Sequence, residues 1–200
     1  MENLGIKTEL FHGHGNIGYG RAHNITLNYL ASDFHLMLNP DVVIEKSALH
    51  SALTTLKKDT SIKLLSPAAT SEDGRPLYLC KRYPSVLLLA LRAFLPKKHK
   101  TMFSRRLANY EMQELAECKS PAEVKLISGC FMLAETHTLK LVGGFDGSYF
   151  LYFEDFDLSI RMGNLGRVMY APNVKITHGG GNAAKKGLWH IWRFIVSGFR

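Results

Sequence analysis

Short apolar runs alternate along this chain with stretches of helical spacing, and that alternation restricts it to an α/β fold. FHLMLN (34–39), IKLLSP (62–67), VKLISGCFMLA (124–134), RVMYAP (167–172) and VKITH (174–178) have the length and apolar content of buried strands. Between them, EKSALHSALTTLKK (45–58) sets Leu49, Leu53 and Leu56 on one helical face. THTLKLVGGF (136–145) reads as a short helix closed by Gly143 and Gly144, and a further helix is expected from about Asp155 to Asn164. IKTEL (6–10) and LYLCKRY (77–83) read as shorter strands, and RAHNITLNYLAS as a helix behind a glycine-rich loop. The expected architecture is a mostly parallel sheet flanked by helices. The stretch 84–121 is basic and helical in pattern, breaks the rhythm, and is expected to be an insertion.

Composition narrows the functional classes. With 46% hydrophobic and 21% charged residues in 200, the chain is globular rather than disordered. The opening MENLGIKTEL lacks the basic start and apolar run of a signal peptide. The most apolar window, VLLLALRAFL (86–95), is too short to span a bilayer and contains Arg92. Cys80, Cys118 and Cys130 are an odd number without a CxxC pair, which argues against a disulfide framework and fits a reducing cytoplasm. The net charge of +8 gathers in PKKHKTMFSRR (96–106) and in KKGLWHIWRFIVSGFR (185–200). No nucleic-acid-binding motif accompanies the charge, so nucleic acid is not an expected partner. Two tryptophans among basic residues give 185–200 the makeup of an amphipathic helix at an anionic membrane surface, or of one packed on the core.

Ligands of open α/β sheets gather beyond the carboxyl ends of the strands. LNPDV puts Asp41 at one such end, VKITH puts His178 at another, and the aromatic run YFLYF, read as strand, delivers Glu154 and Asp155 to a third. Singly, each has an ordinary reading. Asp41 can be a turn residue, Asp155 a helix cap, Asp157 an i,i+4 partner of Arg161, and His178 a satisfied histidine. Together they offer hard oxygen ligands and an imidazole, a set suited to Mg²⁺ or Mn²⁺, and a spare carboxylate for proton transfer. GHGNIGYGRAHN lacks the GK[ST] of a P-loop. It can still bring backbone N–H groups to a phosphate, with Asn16, Gly18, Arg21 and Asn24 adding contacts.

NIGYGRAHN, LMLNPDV, SGCFMLAETHTLKLVGGFDGSYFLYFEDFDLSIRM and APNVKITH stand in an order that resembles family-2 glycosyltransferases of the GT-A fold. The likeness is greatest to the bacterial rhamnosyltransferase-like branch of O-antigen and cell-surface glycan synthesis. It covers the chain except 84–121. The resemblance implies a sugar nucleotide donor, dTDP-rhamnose, and an acceptor that is a glycan or a sugar on polyprenyl diphosphate, with transfer by inversion. It makes Asp155 the catalytic base with Glu154 beside it. Asn39 and Asp41 become the diphosphate and metal motif, with Asn39 in place of the usual first acid, and His178 completes the metal site. Asn16, Gly18, Arg21 and Asn24 lie on the donor side; Gly144, Phe145 and Asp146 shape the acceptor side. It implies a cytoplasmic protein, peripheral on the inner face of the bacterial inner membrane. Relatives begin with a strand-helix-strand unit that this chain lacks, so the expected organisation is a partial catalytic domain over 1–184 and a C-terminal helix over 185–200. An inactive remnant that only binds a membrane or a partner is the alternative.

Overall fold

The computed structural model describes residues 7–84, 103–179 and 196–198. Its strands are β1 (Phe34–Leu38), β2 (Val42–Ile44), β3 (Ile62–Thr70), β4 (Pro76–Leu77), β5 (Cys80–Lys81), β6 (Ala122–Glu123), β7 (Leu126–Ile127), β8 (Phe131–Glu135) and β9 (Arg167–His178). Its helices are α1 (Tyr19–Asn24), α2 (Ala48–Lys58), α3 (Ser104–Tyr110), α4 (Thr136–Leu141) and α5 (Glu154–Gly163), with 3₁₀ turns at Leu27–Tyr29 and Gln113–Glu117. The central sheet runs β1-β8-β3-β9-β2, with β4 beside β3 and β6 beside β9; β5 and β7 form a separate ladder.

The α/β class stands, but the pairing is mixed. Among the described residues only β3 and β9 run parallel; β8 is antiparallel to both β1 and β3, and β2 is antiparallel to β9. Each strand of the centre is buried on both faces, so its residues divide by parity. Met132 and Ala134 of β8 join a core under α4 and α5, with Leu64, Leu139, Leu158 and Met162. Phe131 and Leu133 join the opposite core under α2, with Leu65, Met169 and Ile176. A fully buried side chain such as Phe131 or Leu158 stabilises the fold by about 2 kcal/mol.

Several elements differ from the sequence expectation for identifiable reasons. Helix α2 buries Ala48, Ala52 and Leu56, whereas Leu49 and Leu53 are 41% and 36% exposed. The apolar stripe predicted from the leucines is thus rotated outward, because small alanines let the helix lie close on the sheet. Pro67 does not close β3, nor does Pro172 divide β9. The β3–β9 register slips between Pro67 and Ala68, and an irregularity absorbs the missing N–H. Lys7–Leu10 forms no strand, and 77–83 supplies only two short ladders. Residues 148–153 are a turn rather than a strand; Tyr152 and Phe153 adopt positive φ, 71° and 67°, incompatible with extended backbone.

Within 84–121, the described residues from 103 onward pack on the domain. Tyr110, Met112 and Leu115 are buried. Most of the expected helix at 185–200 lies outside the described residues. Ser197, which is described, is buried and donates from Oγ to the Leu151 carbonyl at 2.8 Å. Among the described residues no helix is long and apolar enough to cross a membrane.

Candidate active site

Three chain segments meet at one rim of the sheet. β1 runs out at Leu38, and the Asn39 N–H donates to the Cys130 carbonyl at 3.0 Å, tying that end to the turn that precedes β8. Asn39-Pro40-Asp41 then turns back into β2, whose Val42 pairs with His178 at the end of β9. The Gly179 N–H closes the corner on the Asp41 carbonyl at 3.1 Å. Asp41 and His178, predicted at separate strand ends, therefore face each other, with Oδ2 and Nε2 3.2 Å apart.

Asp155 reaches the same rim from the first turn of α5. Its Oδ2 accepts from the Gly129 N–H at 2.9 Å and its Oδ1 from the Phe156 N–H at 2.9 Å. The Cys130 thiol, next in sequence to Gly129, is pushed up to about 12 by burial and by the charges of Asp155 and Asp41. It is thus a neutral group between the two carboxylates and no nucleophile at ordinary pH.

The two acids of the pair differ. Glu154 is 5% exposed, and its Oε2 has no hydrogen-bond partner among the described residues. Burial and the neighbouring Asp155 charge raise its pKa to about 7. Asp155 is half-buried; burial raises it to about 6, opposed by the N–H groups of Gly129 and Phe156. A helix N-terminus favours an ionised Asp155. Its burial instead outweighs those donors, leaving a carboxylate that is mostly ionised near pH 7 yet basic enough to take a proton. Asp157 plays the ordinary role, pairing with Arg161 one turn on at 2.6 Å.

The glycine-rich loop is committed inward. The Gly18 N–H points to Asn16 Oδ1 at 3.4 Å and the Tyr19 N–H donates to the Phe150 carbonyl at 3.2 Å, so both donors are turned to acceptors of the chain itself. Arg21 Nε donates to the Gly147 carbonyl at 2.6 Å. Asn24 is clamped to Phe145, accepting from its N–H at 2.9 Å and donating to its carbonyl at 2.7 Å. Gly144 has no room for a Cβ, which would stand 2.4 Å from Asn24 Oδ1. Phe145 itself is buried against Tyr19 and His23, and Asp146 caps its own turn by accepting from the Ser148 N–H. Residues expected on donor and acceptor sides are thus stitched to each other. A cleft of about 370 Å³ lined by Asp33, Phe34, Glu135 and Lys140 lies at the opposite ends of β1 and β8, away from this rim.

No protein-family model matches the chain. It is 27% identical over 179 residues to the N-acetylglucosaminyl-diphospho-decaprenol L-rhamnosyltransferase of Mycobacterium tuberculosis. It is 27% identical over 177 residues to rhamnosyltransferase WbbL of Escherichia coli K12. Each match takes in 82% of the chain. The chain is homologous to the family-2 glycosyltransferases of the rhamnosyltransferase type. It spans 56% and 61% of the lengths of these two curated relatives. Its fold is that of GalNAc-T7, crystallised with UDP, GalNAc and Mn²⁺, with a TM-score of 0.57 at 14% identity; the match covers 84% of this chain and 31% of that one.

For this glycosyltransferase homologue, the donor set at the rim fits a hard divalent cation. His178 Nε2 is buried and has no hydrogen-bond partner among the described residues, although Asp41 Oδ2 stands close by. Two ligands at adjacent octahedral positions, each about 2.1 Å from a cation, lie about 3 Å apart, near the observed separation. Among the described residues no group of three or more His, Cys, Asp or Glu side chains gathers; Asp41 and His178 are the pair that meets at this rim. Sequence reasoning missed Tyr19, Gly129 and Cys130, which surround Asp155. A tyrosine between two glycines was the available signal, but glycines are read first as loop formers.

Proposed function

We propose that the chain carries the catalytic core of a glycosyltransferase that moves rhamnose from dTDP-rhamnose to a sugar on polyprenyl diphosphate, with inversion. The observation supporting it is the meeting of Asp41, His178 and Asp155 at one rim of a GT-A sheet. The polyprenyl-linked acceptor follows from the relative that acts on N-acetylglucosaminyl-diphospho-decaprenol.

Asp155 accepts the proton of the acceptor hydroxyl as that oxygen attacks the anomeric carbon. A new glycosidic C–O bond forms on one face while the bond to the nucleotide diphosphate breaks on the other, so the configuration inverts. The bonds from Gly129 and Phe156 hold the Asp155 carboxylate in one orientation and so fix where that proton goes. Asp41 and His178 would hold Mg²⁺ or Mn²⁺, which neutralises the charge developing on the leaving diphosphate. Glu154 stands beside Asp155, whose charge helps hold the buried Glu154 carboxyl protonated to a higher pH than usual.

The test is Asp155→Asn in the full chain, assayed with dTDP-rhamnose and N-acetylglucosaminyl-diphospho-polyprenol. Transfer should fall by about 10²- to 10⁴-fold, the usual worth of a general base. Donor affinity by calorimetry should stay unchanged. Retention of turnover would remove Asp155 from the chemistry. A wild-type chain that shows no Mn²⁺-dependent donor binding would instead be the remnant that only binds a membrane or a partner.

A further inference from the structure

The geometry points to Tyr19 as a positioning residue that sets the Asp155 carboxylate, acting through the peptide groups of Gly129. Tyr19 Oη donates to the Gly129 carbonyl at 2.5 Å, and the N–H of that same glycine donates to Asp155 Oδ2 at 2.9 Å. A glycine is the residue least able to hold its own peptide planes, since it has no side chain to restrict φ and ψ. Here both planes are held from outside, one by the phenol and one by the carboxylate. A Cβ at Gly129 would stand 3.3 Å from Tyr19 Cε1 and 3.4 Å from Asp155 Cβ, so the backbone there is sandwiched between the two side chains.

The phenol is rigidly mounted. Its ring meets His23 and Phe145 edge-on, with centroids 4.5 and 5.7 Å away. The glycines on either side exist to seat it. A Cβ at Gly18 would lie 2.4 Å from the Phe150 carbonyl oxygen, and one at Gly20 would lie 2.7 Å from Phe145 Cβ. Burial raises the Tyr19 pKa beyond its ordinary value, with the charges of Asp155 and Glu154 adding, so the hydroxyl remains a donor throughout the working range. Among the described residues, the charged and titratable groups facing Asp155 are Glu154 on its own helix, Tyr19 from α1, Cys130 from the turn before β8 and Lys81 from β5. Of these, Tyr19 is the one joined to it by a hydrogen-bonded peptide.

The kinetic consequence rests on the reading of Asp155 as base; the structural one does not. The experiment is Tyr19→Phe in the full chain, which keeps the ring and removes the hydroxyl. Carboxyl carbons of ¹³C-labelled aspartate are followed by NMR across pH, with Asp155→Asn identifying the resonance. Release of the Gly129 peptide weakens a bond that favours the ionised carboxylate, so Asp155 should titrate at higher pH in the variant than in the wild type. In the transfer assay with dTDP-rhamnose, kcat should fall about tenfold with the donor KM unchanged, and the acid limb should move upward. A wild-type Asp155 titration in Tyr19→Phe overturns the proposal. An altered titration beside an unaltered pH–rate profile upholds the coupling to Asp155 and removes Asp155 as the base. Should Tyr19→Phe fail to fold, Gly129→Ala, which crowds the same contact from the other side, is titrated in its place with the same two outcomes.

Discussion

Glu154 is the residue whose charge the fold opposes most plainly. Its carboxyl is buried, one oxygen has no partner among the described residues, and its pKa is raised from 4.5 to about 7. A carboxyl whose folded pKa lies above its unfolded one binds more protons when folded. Its contribution to stability is therefore full below about pH 4.5 and is lost as pH rises through 7. Asp155 adds a smaller slope of the same sign between its ordinary value of 3.8 and about 6. Glu154→Gln should leave stability near wild type at pH 4.5 and raise it at pH 8, by up to about 3 kcal/mol if the whole shift is relieved. Urea denaturation at the two pH values measures this. An equal difference at both would mean that the Glu154 charge is not the destabilising agent. If Asp155 is the base proposed above, the acid limb of transfer belongs to both groups, because the Asp155 charge is one cause of the raised Glu154 pKa.

At the scale of elements, the decisive piece is the seat of α1 on the loop 144–150. This helix has six residues and no side-chain cap, too short to stand alone. It is held by what it touches, through Asn24 on Phe145, Arg21 on Gly147 and the Tyr19 N–H on Phe150. Arg161 braces the other side, donating to the Val142 carbonyl at 2.7 Å while paired with Asp157, and so joins α5 to the end of α4. Gly20→Ala tests the closeness of the seat. Alanine gains helix propensity worth about 1 kcal/mol. Its Cβ, however, would meet Phe145 Cβ at 2.7 Å and Cγ at 3.1 Å, and overpacking a filled core costs about 1–3 kcal/mol. The clash should win, giving a net loss of stability in chemical denaturation; a higher midpoint would show that Phe145 can move aside freely.

At the scale of the molecule, the site exists because strands far apart in sequence are neighbours in the sheet. β1 and β8 bring Asn39 to Cys130, and β2 and β9 bring Asp41 to His178. If these side chains share a cation, Asp41→Ala should weaken Mn²⁺-dependent dTDP-rhamnose binding by at least about tenfold, since even outer partners of a metal site cost that much. Calorimetry with and without EDTA reads it. Equal affinity for both proteins in Mn²⁺ would leave Asp41 outside the metal site.

The sequence by itself determined the α/β class, the strand at 34–38, strand character within 124–134 that the structure divides between β7 and β8, the helix behind Glu154 and the acids and histidine that gather at the rim. Each rests on local signals, namely apolar period, glycine closure and residue chemistry, which a single chain carries in full. Tertiary structure alone decided the antiparallel course of β8, the inward turn of the alanines of α2, and the passage of β3 and β9 through their prolines. It also decided that YFLYF is a left-handed turn, not a strand, and that Tyr19 reaches Asp155 through Gly129. Those outcomes depend on partners distant along the chain. Which face a helix buries, and whether a glycine peptide is free or pinned, is set by the neighbour that arrives rather than by the residue's own preference.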